Sequence, residues 1–479
     1  MTIQNQLLSD TSNLNLAGLI AAYGPPHYTT KRNPVGVLNE VFWANYFATL
    51  NEILYENLEG DFYRYIEKQH GIFHRFSEHL LKQQISSDIL YAANNWPGYL
   101  PLAQLRNSKH IAGVLSHLKG VLEKEGAFNA QRDYIHLPNG VLLLDGDKPK
   151  LVSFDPKYIS RNSIPIEYKP GLSCPKFESK LLAPLTPDDR KLVQKLFGMY
   201  LCGNNFLQVF VILEGAPESG KSQLAIVARE LIGQHNCAEL RVAHLDDRFE
   251  LGRYLGKILL IGPDVAGDFL SHKSAFRIKG MVGGDLLAAE RKHSNLLFYM
   301  AGIFNILITC NSRLTIKLDS DRGAWKRRLL LVPYDEKKHG KNIPNFGHYL
   351  VETEGSGILN WALEGLIELN EEVRTEGGLI LTTEQKKRTD ALLNESEGIR
   401  HFVANNLQAD PAGDLTTNEI IEAYAVFCAD PARGWYPNQR QVERQLPDIM
   451  LEFFKTTSNH NIDRGGKKVR GYRNVGFIP

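Results

Sequence analysis

Residues 209–222 read VFVILEGAPESGKS, and this stretch restricts the chain more than any other. Five apolar residues, Val209 to Leu213, lead to Gly215; Gly220-Lys221-Ser222 then opens a helix-forming run from Gln223 to Ile232. A strand feeding a glycine-bearing loop and then a helix is the context in which this spacing cradles phosphates. Glycines let the backbone amides turn toward the anion, Lys221 supplies a point charge for the β and γ phosphates, and the Ser222 hydroxyl can hold magnesium. Gly215, Ala216, Pro217, Glu218, Ser219, Gly220, Lys221 and Ser222 therefore form the expected nucleotide site, with ATP and Mg2+ as the implied ligands. An accidental glycine-rich turn is the plain alternative.

Two later strands supply the polar groups such a site needs. Ile258-Leu259-Leu260-Ile261 runs into Gly262-Pro263-Asp264, so Asp264 is the candidate to hold the magnesium shell and the attacking water. A proline precedes this aspartate and the next acid is Asp268, which leaves the general base open between them. A strand-end turn aspartate is the simpler alternative for Asp264. Phe304 to Thr309 forms another apolar run ending at Cys310-Asn311, where an amide can hydrogen-bond both a γ-phosphate and the lytic water. Asparagine also serves turns. Residues 321–335, DRGAWKRRLLLVPYD, place Arg322, Arg327 and Arg328 before a further strand, as candidates to stabilise charge on a transferring phosphoryl group from a neighbouring subunit. A solvated basic face is the alternative for each of them.

Around this core the pattern changes along the chain. Apolar and aromatic residues recur at helical spacing from Leu38 to about Gly126, as in Phe42-Trp43-Tyr46-Phe47 and Phe62-Tyr63-Tyr65-Ile66, which predicts a helical region over 1–130. Tyr134-Ile135-His136 and Val141 to Leu144 flank Pro138-Asn139-Gly140, so 131–185 reads as a small β-rich region. Thr186-Pro187-Asp188-Asp189 is an N-cap, an N1 proline and two first-turn acids, predicting a helix to about Met199 that opens an α/β motor spanning 186–405. Within it, short apolar runs alternate with helical stretches, as in a mostly parallel sheet covered by helices. Asp410-Pro411-Ala412-Gly413 reads as a linker before a terminal domain over 410–479.

The 479 residues hold 55 basic and 54 acidic side chains, so any nucleic-acid contact must come from local patches. Five widely spaced cysteines show no paired metal-ligand spacing and read as reduced thiols. Polar residues run through Met1 to Ile20 and no apolar run approaches a membrane span, so a soluble cytoplasmic protein with no membrane partner is expected.

The order and spacing of Gly215 to Arg328 resemble superfamily 3 (AAA+) replicative helicases, in the branch of phage and plasmid primase-helicases related to poxvirus replication helicases. Phe276 to Lys292, FRIKGMVGGDLLAAERK, resembles the lysine-containing hairpin of those motors, through Lys279, Gly283-Gly284-Asp285, Arg291 and Lys292. The resemblance implies an AAA+-type P-loop core in a ring, a hexamer, with single-stranded DNA in its channel against Lys279, Arg291 and Lys292. Tyr134 to Phe177 is similar to the region preceding the motor in these proteins, and Leu415 to Phe477 to the winged helix that closes them.

In such a winged helix, Arg440 and Arg444 on a helix from Gln439 to Leu446 face a duplex groove, and Lys467, Lys468, Arg470 and Arg473 on a hairpin grip phosphates. No acidic triad or zinc-ligand cysteines mark a primase module in the first hundred residues, which leaves priming to a separate primase. The implied function is an ATP-dependent DNA helicase for a phage, plasmid or other mobile element in a bacterial host. An origin-binding initiator ATPase and an anti-phage defence switch are the competing expectations.

Overall fold

The computed structural model describes residues 16–30, 33–129, 133–144, 148–266, 269–270, 275–291, 297–311, 322–334, 343–396, 398–429 and 439–478. The N-terminal region mixes helices and strands: α1 (Leu16–Tyr23), β1 (His27–Thr30), β2 (Asn33–Leu38), α2 (Glu40–Leu50), β3 (Ile53–Glu56), β4 (Asp61–Ile66), β5 (Ile72–Phe76), α3 (Glu78–Asn95) and α4 (Ser108–Val121). The second aromatic run, expected to be helical, is strand β4. Its spacing fits a helix, but aromatic residues favour a pleated surface, and Gly60 and Gly71, both at positive φ, end the segment with turns. Phe62 pairs with Tyr55 on one side and Phe76 on the other, so cross-strand contacts decide the outcome. The helices close over Phe42, Trp43, Phe47, Leu81, Ile89 and Val114.

A three-stranded antiparallel sheet follows: β6 (Tyr134–Leu137), β7 (Gly140–Leu143) and β8 (Lys150–Val152), with Pro138-Asn139 at the turn. Next comes α5 (Pro187–Cys202), whose cap Thr186 accepts from the Asp189 amide as its sequence predicts. The central body contains β9 (Phe210–Glu214), α6 (Lys221–Ile232), β10 (Cys237–Glu239), β11 (Leu259–Gly262), α7 (Ala275–Gly283), β12 (Leu286–Glu290), β13 (Leu297–Ala301), β14 (Asn305–Cys310), α8 (Arg322–Arg328) and β15 (Leu329–Pro333). Five of these strands form one parallel sheet in the order β10-β11-β14-β9-β15. Their apolar runs are buried on both faces, as a parallel sheet requires.

Helix α9 (Phe346–Glu376) crosses α5 at very short range. A Cβ at Gly365 would lie 2.3 Å from the Gln194 carbonyl oxygen, and one at Gly198 would lie 2.6 Å from that of Ala362. Helix α10 (Thr383–Ser396) is tied to both α5 and α8. Arg388 makes two hydrogen bonds, 3.1 and 3.0 Å, to the fully buried Asp189 of α5, while Asp390 takes Lys326 of α8 at 2.7 Å.

The C-terminal unit has its own core, running from Ile399 to Val475. It comprises α11 (Gly398–Asn406), β16 (Leu407–Thr416), α12 (Thr417–Cys428), α13 (Gln439–Phe454), β17 (Asn459–Arg464) and β18 (Lys467–Phe477), with sheet order β16-β18-β17. Two expectations change here. Asp410 to Gly413 is no linker but part of β16, where a bulge between Ala409 and Asp414 accommodates the proline, which has no amide to pair. Helix α13 also continues through Pro447 to Phe454 instead of ending at Leu446.

A capping box starts α12, and its Glu419 carboxylate accepts from the Thr416 amide at 2.7 Å and from Arg464 at 2.7 and 2.9 Å. Arg464 also bonds Asp414 at 2.6 Å, joining β16, α12 and β17. No helix among the described residues is long and apolar enough to cross a membrane, and all five cysteines are buried.

Two outcomes follow. Gly365→Ala should lower the unfolding midpoint, because overpacking costs about 1–3 kcal/mol, more than the ~1 kcal/mol helix-propensity gain of alanine. A midpoint equal to or above wild type would show that α5 and α9 do not approach so closely.

Arg464, then the Thr416 amide, holds the Glu419 carboxyl down to about 2 from its ordinary 4.5. A carboxyl with a lowered folded-state pKa stabilises above its unfolded value, and that contribution fades as pH falls through the folded one. The C-terminal unit should therefore lose stability between about pH 4.5 and 2. Glu419→Gln should be less stable at pH 7 and show a flatter acid response in thermal scans; an unchanged slope would contradict the assignment.

Candidate functional site

The loop from Gly215 to Gly220 joins β9 to the N-terminus of α6 at the carboxyl end of the parallel sheet, the edge where open α/β sheets bind ligands. Its path requires positive φ at Glu218 (64°) and Gly220 (109°), the second at the helix cap. Lys221 is buried, and its ammonium donates to the Gly215 and Ala216 carbonyls, both at 2.7 Å, and to the Ser219 hydroxyl at 3.2 Å. A cation thus sits inside the loop curve while Ser222 is exposed on the first turn of α6.

Strand order brings the second and third candidates together. Because β14 lies between β11 and β9, the residue after β14 stands between the ends of the other two. The Asn311 amide donates to the Asp264 carboxylate at 3.0 Å, and the Gly215 amide donates to the Cys310 carbonyl at 3.3 Å. Asp264 itself has φ 43°, a left-handed conformation uncommon outside glycine. Two bonds from β14 hold that turn: Asp264 N to the Thr309 hydroxyl and Val265 N to the Thr309 carbonyl, each 2.9 Å. Asp264 and Asn311 are both exposed at this edge, whereas Thr309 is buried. The other acid considered, Asp268, lies outside the described residues.

The arginines lie at the opposite edge. Helix α8 ends where β15 begins, and Leu329 pairs in parallel register with Phe210, the first residue of β9. Five residues of strand, Leu329 to Pro333, roughly 17 Å at about 3.3 Å per residue, separate Arg328 from the loop end of the sheet. Arg322 lies 3.6 Å from Asp390, Arg328 is half-buried with its Nη2 against Gly283, and Arg327 is exposed. Asp321 and Asp335, the first and last residues of the 321–335 stretch, lie outside the described residues.

The basic hairpin differs from its expected form. Gly283 ends α7, and Gly284-Asp285 pairs with Gly302 across the base of the hairpin, with Gly284 N to Gly302 O and Gly302 N to Asp285 O both 2.8 Å. Strands β12 and β13 pair antiparallel from Leu286 with Ala301 to Glu290 with Leu297, so Gly283-Gly284-Asp285 lies at the open end of the hairpin. Lys279 sits on α7 instead of the hairpin, its ammonium 4.4 Å from the Phe276 ring and 5.2 Å from that of Trp325. Arg291 follows β12 and pairs with Asp61 of β4; Lys292 lies outside the described residues.

In the C-terminal unit, Lys467 and Lys468 are exposed beside the Gly465-Gly466 turn. Arg470 and Arg473 are also exposed, with Arg470 donating to the Ser458 hydroxyl at 2.8 Å and Arg473 to the Asn461 carbonyl at 3.5 Å. Arg440 and Arg444 belong to α13, and their side chains lie outside the described residues. Three residues that place the candidates escaped the sequence: Thr309 under Asp264, Asp390 on Arg322 and Lys326, and Asp61 on Arg291. A threonine inside an apolar strand and acids on solvated stretches carry no local signal, since each contact joins distant segments.

Residues 45–182 match a family model described as D5 N terminal like, and residues 213–328 match one described as a family of unknown function, DUF5906. No curated protein matches the chain. Matching solved structures include "The A form apo structure of NrS-1 C terminal region-CTR", at 12% identity, 91% coverage of this chain, 99% of that chain and a TM-score of 0.48. Another, "The apo structure of NrS-1 C terminal region (305-718)", has 13% identity, the same coverages and a TM-score of 0.44. The chain thus carries a D5 N terminal like segment followed by a DUF5906 segment, and the glycine loop, Asp264, Asn311 and the α8 arginines all fall within the second.

Proposed function

We propose that the chain is an ATP-driven DNA helicase of superfamily 3, serving the replication of a phage, plasmid or other mobile element and working in the host cytoplasm as a ring of identical copies. The observation that carries this reading is the meeting of the Lys221 loop, Asp264 and Asn311 at one edge of the parallel sheet. The D5 N terminal like segment ahead of it supports a replication protein of the phage primase-helicase kind, with priming left to a separate primase.

The residues fit ATP and magnesium. Lys221 is held by three oxygen acceptors that phosphate oxygens can replace without leaving the ammonium unpaired. Among the described residues no group of three or more His, Cys, Asp or Glu side chains could hold a metal. Magnesium would instead be held by the exposed Ser222 hydroxyl and Asp264 carboxylate together with nucleotide phosphates, its common mode. The ion would supply charge neutralisation on the phosphates. Lys221 would position the β and γ phosphates, Asn311 would orient water and the γ-phosphoryl oxygen, and Asp264, steadied by Thr309, would hold the metal shell and the attacking water.

Separation of the arginines from this edge supports completion of the site by a neighbouring copy, in a hexamer by resemblance. Arg327 is the cluster member we assign to that role, since Arg322 faces Asp390 and Arg328 turns toward Gly283. Single-stranded DNA then passes the β12–β13 hairpin. The C-terminal unit acts as a winged helix on duplex DNA, with Lys467, Lys468, Arg470 and Arg473 on phosphates.

Lys221→Ala and Arg327→Ala should each lower DNA-stimulated ATP hydrolysis by about a thousandfold or more. Mixing the two variants should restore measurable turnover, because mixed rings contain interfaces with both partners intact. A fully active monomer, or no recovery from two variants that still assemble together, would overturn the shared site.

A further inference from the structure

The β12–β13 hairpin rests on the turn that joins β3 to β4 in the N-terminal region. Its Tyr299 amide donates to the Leu58 carbonyl at 3.0 Å. Arg291 forms an ion pair with Asp61, whose second carboxylate oxygen accepts from Arg75 at 2.9 Å. The contact is sheltered: the Asp61 side chain is 12% exposed and that of Arg291 20%, with the guanidinium 4.8 Å from the Phe298 ring. Neighbouring Glu290 is tied back to Arg248 at 2.6 Å. An arginine fork recognises carboxylates and phosphates by the same geometry. The group that holds Arg291 here is therefore a chemical competitor of a backbone phosphate.

We propose that Asp61 and Arg291 form an intramolecular latch that docks the hairpin on the N-terminal turn, and that a nucleic-acid phosphate opens it by replacing Asp61 at Arg291. The proposal rests on reading the hairpin as a DNA-contacting element. Opening is chemically cheap for both partners. Arg291 exchanges one anion for another, and Asp61 keeps Arg75, so neither charge is left buried and unpaired. The Tyr299–Leu58 main-chain bond is then the remaining tie, and it exchanges readily with water at a surface. Through this pair the N-terminal region responds to whether a strand lies against the hairpin.

The test uses the full chain and two readouts, hydrogen exchange of amides 286–301 without DNA and fluorescence anisotropy with a single-stranded oligothymidylate. Asp61→Asn should speed exchange at Tyr299 by about fivefold or more and tighten oligonucleotide binding about threefold to tenfold. Arg291→Ala should also speed exchange but weaken binding and flatten the log–log salt slope by about 0.7. The double variant Asp61→Asn with Arg291→Ala should exchange no faster than either single variant and bind as weakly as Arg291→Ala, which separates docking from DNA contact.

Unchanged exchange in Asp61→Asn would overturn the latch. Faster exchange with unchanged affinity, in a background where Arg291→Ala weakens binding, would overturn the competition with phosphate. A wild-type protein that binds no single strand would overturn the DNA reading and the phosphate trigger with it, while the exchange data would still decide whether the hairpin is latched.

Discussion

Everything assigned to the candidate nucleotide site depends on hydrogen bonds that tie three adjacent strand ends into one edge. The Gly215 amide meets the Cys310 carbonyl, so the glycine loop cannot move independently of β14. Thr309 on that same strand takes the amide of Asp264 on its hydroxyl and that of Val265 on its carbonyl, which holds an aspartate at φ 43°. Such a conformation persists only where surrounding contacts over-determine it. Without the parallel pairing of β14 to both neighbours, Lys221, Asp264 and Asn311 would be three polar groups on three loops. With it they share one edge, and Asn311 touches Asp264.

The same sheet separates the basic helix from the glycine loop within one copy. Parallel register places α8 at the starting end of β15 and the glycine loop at the finishing end of β9, so the two lie at opposite ends of the strands. Asp390 adds a second constraint, since it holds Lys326 and faces Arg322 from α10, itself anchored to α5 through Asp189 and Arg388. Arginine placement is thus linked through packed helices to the close α5–α9 crossing at Gly198 and Gly365. On another side, the hairpin meets the N-terminal turn through Asp61 and Leu58, which gives the region of the D5 N terminal like match a direct contact with the DUF5906 segment.

Local chemistry was legible wherever it alone decided the outcome. Thr186-Pro187 starts α5, Pro138-Asn139 turns β6 into β7, and Gly465-Gly466 turns β17 into β18, each for reasons contained in a few residues. Legibility ended where partners decide. The aromatic run of β4 satisfies helical spacing and becomes a strand because β3 and β5 flank it. Pro411 looks like a break and lies in a bulge because β18 continues beside it. Gly283-Gly284-Asp285 looks like a hairpin turn and instead closes the hairpin base against Gly302. Asp61 and Arg291 are 230 residues apart, and no pattern within either segment announces the other.

The direct test of the account is the hydrolysis rate of Asn311→Ala measured beside its affinity for ATP. The side chain lies past the end of β14, outside the glycine loop proposed to hold the phosphates, so nucleotide affinity should stay near that of wild type. Losing one preorganised amide at the reacting phosphoryl group should lower turnover about a hundredfold. Turnover equal to wild type, with ATP bound, would contradict a hydrolytic centre built from these strand ends.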